Sequence, residues 1–151
     1  MKRVSDHSEL YLLSYGTLRK DQYNYNRIRN HFPIKNDHLL YIDTIKLEGY
    51  KMFNLGSYPM CTFTGEKNDT VIADVLRMSN LSFDMIDKME TQAGYSRYKA
   101  DINFRISNTH LKLDSEAIIY LSSTVNLSKH DSNNIIKNGD WVSFIESLQV
   151  N

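Results

Sequence analysis

Leu10-Tyr11-Leu12-Leu13-Ser14-Tyr15-Gly16-Thr17-Leu18-Arg19 is the segment around which the chain is organised. An uninterrupted apolar run stops at Tyr15-Gly16, and a polar segment with helical spacing follows. A short continuous apolar run reads as a strand buried on both faces, which requires a layer of structure on each side of it. Gly16 has no Cβ, so it can take backbone angles closed to other residues and leaves its main chain open to a ligand. Where a strand turns sharply, successive N–H groups can converge into an anion-binding concavity. A plain strand-to-helix turn is the alternative reading of the same residues.

Outward from this stretch, residues 1–9 are polar and form a flexible lead-in, and residues 10–151 form one domain. Asp21 is placed to cap a short helix carrying Tyr25, Ile28 and Phe32, which Pro33 ends. His38 to Phe53 is extended, and Asn54-Leu55-Gly56-Ser57-Tyr58-Pro59 is a turn. Val71 to Leu76 is a strand. Tyr98, Ala100, Ile102, Phe104 and Ile106 alternate with polar residues, the clearest strand period in the chain. Asn108 to Ser115 connects that strand to a returning one at Ala117 to Leu121. Ser122 to Gly139 reads as a surface loop, and a short helix closes the chain from Asp140-Trp141, with Trp141 as a packing anchor. Several short strands with two or three helices indicate an α+β domain whose sheet is strongly curved or closed.

Composition narrows the function. The 151 residues are 41% hydrophobic and 11% aromatic, with ten Tyr, which suits a globular core. Acidic and basic residues balance at 18 each, without the basic excess of a nucleic-acid binder. No apolar stretch approaches the roughly 20 residues that span a bilayer, and the N-terminus lacks the apolar core of a signal peptide. The single cysteine, Cys61, points to a reducing, cytoplasmic setting and reads as a small buried thiol rather than a nucleophile. The five His show no ligand spacing, so no metal is expected.

Glu90 is the second unusual feature. Ser79-Asn80-Leu81-Ser82 offers capping oxygens for a helix from Leu81 to Glu90. At about 100° per residue, Leu81, Met85, Ile86 and Met89 form its apolar arc, with Asp84, Asp87 and Lys88 toward water. Glu90 falls between the directions of Ile86 and Phe83, at the edge of the apolar face. It also lies in the last turn before Gly94, where the helix dipole disfavours a negative charge by about 0.3–1 kcal/mol. Apolar surroundings add a desolvation cost, and both effects raise a carboxyl pKa. That makes Glu90, with Tyr95, Arg97 and Tyr98 close behind, a candidate general acid/base. The plainer alternative is a side chain that bends into solvent or pairs with Arg97.

Tyr15-Gly16-Thr17-Leu18-Arg19 after an apolar strand resembles the opening motif of the gamma-glutamylcyclotransferase-like (BtrG-like) family. The Leu55-Gly56-Ser57-Tyr58-Pro59 turn, the strand at Val71 to Met78, the helix ending in Asp87-Lys88-Met89-Glu90, then Tyr95, Arg97 and Gly139-Asp140-Trp141 follow in the family's order. The resemblance covers Leu10 to Trp141. It implies a small, mixed, barrel-like sheet flanked by short helices, and release of 5-oxoproline from gamma-glutamyl compounds without metal or cofactor. It also implies that the backbone of Tyr15, Gly16, Thr17 and Leu18 binds the gamma-glutamyl group, with Glu90 as the acid/base. Relatives often carry Gly after the Glu and a Pro soon afterwards, where this chain has Thr91-Gln92-Ala93-Gly94; the departure bears on the cavity wall near Tyr95.

The chemistry suits these residues. Attack of an α-amine on the γ-carbonyl of the same molecule is intramolecular, so the catalyst has to fold the substrate and move protons. One carboxyl group of raised pKa can take a proton from the α-ammonium and return one to the departing amine. Amides of Gly16, Thr17 and Leu18 can hold a carboxylate or a developing oxyanion. Tyr58, Pro59 and Tyr95 line the pocket or serve as ordinary core and turn residues. The leading expectation is a cytoplasmic cyclotransferase acting on a gamma-glutamyl amine or gamma-glutamyl amino acid, with a small-molecule partner and neither nucleic acid nor membrane. The rivals are a non-catalytic small-molecule-binding or regulatory module on the same fold, and another small-molecule lyase or acyl-transfer enzyme. The sequence leaves the oligomeric state open.

Overall fold

The apolar run lies at the centre of the molecule. In the structure, a computed structural model describing residues 10–100, 116–122 and 134–148, it forms β1 (Leu10–Ser14), buried at every position. After it come α1 (Tyr23–Asn30), a 3₁₀ turn at Lys35–Asp37, β2 (Leu39–Glu48), β3 (Tyr50–Asn54), β4 (Pro59–Phe63) and β5 (Thr70–Met78). Then follow α2 (Asn80–Gln92), β6 (Tyr95–Lys99), β7 (Glu116–Ser122) and α3 (Trp141–Leu148). Five strands form one mixed sheet in the order β2-β5-β1-β7-β6, and β3 and β4 form a separate hairpin. β1 runs antiparallel to β5 and parallel to β7. The fold is therefore α+β with a mixed sheet and flanking helices, as expected. The expected barrel-like closure does not occur among the described residues: β2 and β6 are the two ends of an open sheet.

The strand period of two explains why β1 is apolar throughout. Tyr11 and Leu13 point into a core with Met52, Cys61, Val71, Val75 and Trp141, under the hairpin and α3. Leu10 and Leu12 point into a second core with Tyr25, Ile28, Phe83 and Ile86, under α1 and α2. Cys61 is fully buried in the first core, opposite Met52 in the hairpin register, and burial pushes its thiol pKa well up. Trp141 is buried there as well, its ring stacked on Phe144, which is the anchoring role expected of it.

Local geometry corrects several details. Asp21 does not cap α1: it has a positive φ of 67°, and the N-cap is Gln22, which makes no side-chain cap. The first amides of α1 are satisfied instead by the Thr17 carbonyl, which accepts from Asn24 N and Tyr25 N at 3.0 and 3.2 Å. The extended stretch from His38 to Phe53 breaks at Gly49 into strands that enter different sheets. α2 is capped as expected, Ser79 and Ser82 exchanging side-chain-to-backbone bonds. Its buried stripe is rotated from the expected arc: Phe83 and Ile86 are buried, whereas Leu81 is exposed. Asp87 is half-buried rather than turned wholly to water, because it sits one turn beyond Phe83 on the same stripe.

The lead-in, the alternating segment beyond Ala100 and the connection at 108–115 lie outside the described residues. So does most of the stretch read as a surface loop from Ser122 to Gly139. Its described end is packed: Ile135 bridges Phe53, and Ile136 is buried with its N–H donating to the Met52 carbonyl. Among the described residues no helix is long and apolar enough to cross a membrane.

Gly139 closes that segment. Its φ is 60°, and a Cβ built there would lie 2.1 Å from the Thr70 carbonyl oxygen and 2.5 Å from Val71 Cα. Its own carbonyl accepts from Ile72 N at 2.7 Å, which ties the entry to α3 onto β5. Both the backbone angle and the space exclude a side chain. Gly139→Ala is expected to destabilise the protein by at least about 2 kcal/mol, lowering the thermal midpoint by roughly 4–8 °C in a calorimetric or circular-dichroism melt.

Candidate functional site

At the C-terminal end of β1 the chain turns through Gly16, Thr17 and Leu18 into α1, with Arg19 N donating to the Gly16 carbonyl at 2.9 Å. Gly16 is not in a left-handed conformation; its value here is space. A Cβ on it would come within 2.8 Å of Pro59 Cγ, so the hairpin can approach the turn only over a glycine. Arg19, itself buried, fixes the turn from behind. Its Nη1 donates to Asp140 Oδ1 at 2.7 Å, and its Nε lies 3.3 Å from Asp74 Oδ2, outside hydrogen-bonding geometry. Asp74 also accepts from Lys20 N and from Thr44 Oγ1, each at 2.8 Å.

Burial works against the charge of Asp140, but the Ser143 amide, the Arg19 guanidinium and the Ser143 hydroxyl outweigh it and hold the carboxyl below its ordinary pKa. Asp140 thus caps the start of α3 while it pairs with Arg19. In the sequence Arg19 stands out only as part of the motif, and its two partners lie too far along the chain to be read from spacing.

In front of the turn lies a cavity of about 490 Å³. Tyr15, Gly16, Thr17 and Leu18 line one part of it, Tyr58 and Pro59 of the hairpin another, and Glu90 and Tyr95 a third. Every residue singled out from the sequence as a candidate site residue faces this one space. The volume falls within the range of about 300–1,000 Å³ common to small-molecule sites. Tyr23, Asn24, Ser57, Met89, Ala93 and Tyr120 line it too. Met89 and Ala93 follow from the phase of α2 once Glu90 is placed, but Tyr23 and Tyr120 carried no distinguishing signal in the sequence. Among the described residues no group of three or more His, Cys, Asp or Glu is arranged to hold a metal.

Glu90 shares the buried stripe with Phe83 and Ile86, and α2 ends just beyond it at Gly94, whose φ is 95°. The residue is half-buried, and among the described residues its carboxyl has neither a hydrogen-bond donor nor a cation. Arg97, the cation that could have claimed it, instead pairs with Asp87 at 3.0 Å. Burial pushes the Glu90 pKa up to about 7.

Three tyrosines stand close enough to feel its charge, and each has committed its hydroxyl proton elsewhere. Tyr15 donates to the Tyr120 carbonyl at 2.6 Å, Tyr95 to the Pro59 carbonyl at 2.9 Å and Tyr120 to Asp87 Oδ1 at 2.8 Å. Burial is the main cause that raises the pKa of all three; the Glu90 charge comes next for Tyr95, whereas the bond to Asp87 comes next for Tyr120 and the neighbouring Cys61 for Tyr15. Glu90 therefore faces phenol oxygens that can accept a proton bond but have none to give. Thr91-Gln92-Ala93-Gly94 does not disturb this wall: Ala93 lines the cavity, and Tyr95 reaches across to the hairpin.

The model of one protein family, described as gamma-glutamyl cyclotransferase, AIG2-like, matches residues 12–143. No curated protein matches the chain significantly. Among solved structures it is similar to an uncharacterized protein from Pyrococcus horikoshii, at 16% identity and TM-score 0.64, over 93% of this chain and 96% of that one. It is similar to ytfP from Escherichia coli, at 21% identity and TM-score 0.58, over 89% and 98%. An AIG2-like protein from Mus musculus matches at 14% identity and TM-score 0.59, over 89% of both chains. At these identities the structures show the shared fold.

The raised pKa has a thermodynamic consequence. An unfolded chain releases the Glu90 proton near pH 4.5, and the folded protein near 7, so the folded state loses stability as pH rises through that window. Glu90→Gln carries no such proton. Relative to wild type it should gain about 1–3 kcal/mol between pH 5 and pH 8, the range allowing for a cavity open to solvent. Urea titrations of both proteins at the two pH values measure this.

Proposed function

The chain belongs to the gamma-glutamyl cyclotransferase, AIG2-like family, and on that premise we propose that it releases 5-oxoproline from a gamma-glutamyl amine or gamma-glutamyl amino acid, with Glu90 as the acid/base. The observation that carries this reading is the shared cavity: a half-buried carboxyl of pKa about 7, with no partner among the described residues, lines the same space as the Gly16–Leu18 turn. In this reading the α-carboxylate or the developing oxyanion of the substrate meets the turn amides, and Tyr15, Pro59 and Tyr95 shape the space around the glutamyl chain, with Tyr58 at the mouth of the same cavity. A soluble small substrate and a lone buried thiol, Cys61, fit a cytoplasmic setting.

The steps balance without a co-reactant. Glu90, as carboxylate, takes a proton from the substrate's α-ammonium. The freed amine attacks the γ-carbonyl carbon, and a C–N bond forms that closes the five-membered lactam. The tetrahedral centre then collapses, its bond to the departing nitrogen breaks as Glu90 gives that nitrogen its proton, and Glu90 next carries the second proton from the ring nitrogen to the released amine. Over the whole reaction two protons pass from the α-nitrogen to the departing nitrogen, which leaves as an ammonium. A carrier with a pKa near 7 can accept and donate at neutral pH with little free-energy penalty in either direction. Holding amine and carbonyl together in a folded conformer supplies the rest of the acceleration.

Glu90→Gln should keep the fold and lower kcat/KM for 5-oxoproline release by about 10²–10⁴-fold. In the wild type, kcat/KM should rise with pH through an apparent pKa near 7 on its acid side. Chromatographic detection of 5-oxoproline across a panel of gamma-glutamyl amides checks both. Binding of the panel without turnover would instead identify a ligand-binding module.

A further inference from the structure

The walls deep in the cavity are accounted for by the glutamyl group, but two aromatic side chains at its mouth are not. Tyr23 and Tyr58 both line the cavity, yet they are 74% and 47% exposed, so their rings stand at its rim. Each is mounted on a rigid frame joined to the turn. Tyr23 opens α1, whose next two amides donate to the Thr17 carbonyl, and Asn24 Nδ2 donates to Thr17 Oγ1 at 2.7 Å. Tyr58 closes the hairpin turn: its carbonyl accepts from Leu55 N at 3.0 Å, and Gly56 N donates to Asn54 Oδ1 at 2.8 Å. The Tyr58 ring meets Tyr95 edge to face with centroids 6.5 Å apart, and Tyr95 in turn holds the Pro59 carbonyl.

We propose that Tyr23 and Tyr58 form a leaving-group subsite that favours gamma-glutamyl derivatives of arylalkylamines, in which an aromatic ring follows the amine and no carboxylate does. The inference rests on the cyclotransferase reading and names the substrate class of the same cavity. With the glutamyl group on the Gly16–Leu18 turn and the departing nitrogen at Glu90, whatever that nitrogen carries extends outward to the rim. There an aromatic group covers two exposed rings, recovering apolar burial and edge or offset ring contacts. A leaving group with its own carboxylate fares worse: among the described lining residues the one formal charge is the negative one of Glu90, so the carboxylate meets repulsion without a compensating cation.

The test compares gamma-glutamyl-phenethylamide with gamma-glutamylglycine. Turnover is measured on the wild type, Tyr23→Ala, Tyr58→Ala and Tyr58→Phe, and calorimetric binding on Glu90→Gln. The wild type should favour the phenethylamide in kcat/KM by at least about 10-fold, and each Ala variant should lose roughly 10-fold of that ratio. Tyr58→Phe should retain it, since the ring and not the hydroxyl makes the contact. A ratio taken on one protein cancels any loss of folded material, and Tyr23 is exposed enough for its removal to spare the core. Turnover of both substrates without preference, or a preference untouched in both Ala variants, overturns the subsite and leaves the cyclotransferase reading standing. Selective binding of the phenethylamide to Glu90→Gln with no wild-type turnover supports the subsite and removes the catalytic reading. Neither binding nor turnover overturns both.

Discussion

The site depends on one buried cation shared by two carboxylates. Arg19 stands between Asp74 on β5 and Asp140 at the entry to α3, and a guanidinium alone in this interior would be strongly disfavoured. Two partners over-neutralise it, leaving one formal negative charge, which is spread over further donors. Lys20 N and Thr44 Oγ1 serve Asp74, and the Ser143 amide and hydroxyl serve Asp140. The arrangement is weak evidence for stability, since removing a buried charge network in favour of apolar residues is often neutral. Its value is positional. The turn after β1 is held from behind at Arg19 and Lys20 and touched from in front by Pro59 through the missing Cβ of Gly16.

That clamp makes sense of an otherwise costly Glu90. A carboxyl group in a half-closed cavity, with no donor among its described neighbours, is a stability loss at neutral pH. The neighbouring polar groups could have relieved it and do not: Arg97 is taken by Asp87, and the hydroxyl protons of Tyr15, Tyr95 and Tyr120 are used in bonds that tie β7, the hairpin and α2 together. The same bonds that assemble the cavity wall thus occupy the described groups that could have paired with Glu90. Burial raises its pKa, and these bonds leave that burial unrelieved among the described residues.

Much of this was legible in the sequence where the signal is local. The apolar run of β1, the serine cap of α2, the terminating Gly94 and the awkward direction of Glu90 all follow from composition and periodicity over a few residues. Errors arose where distant structure decides. Asp21 reads as a cap, but the Thr17 carbonyl has already taken the first amides of α1, leaving Asp21 free to occupy a left-handed turn. The apolar arc of α2 was drawn through Leu81, Met85, Ile86 and Met89 because a hydropathy pattern cannot tell that the fold will bury Phe83 and leave Leu81 exposed, nor that Tyr120 and Arg97 will bond Asp87. The partnership of Arg19 with Asp140 joins residues 121 positions apart, and no spacing rule reaches that far.

The division of labour around the cavity follows the same distinction between fixed and exposed parts. Groups that would act on atoms common to every gamma-glutamyl substrate lie on the best-held elements, the turn after β1 and the last turn of α2. The rim residues Tyr23 and Tyr58 belong to other elements, the start of α1 and the turn between β3 and β4, and neither is a buried member of the two cores. A change at the rim can therefore alter which leaving group fits without disturbing the acid/base or the turn. A change at Gly16 drives a Cβ into Pro59 and displaces hairpin and turn together. In the proposed reading, selectivity is then separable from chemistry because Tyr23 and Tyr58 are carried by α1 and the hairpin turn, whereas Glu90 is carried by α2.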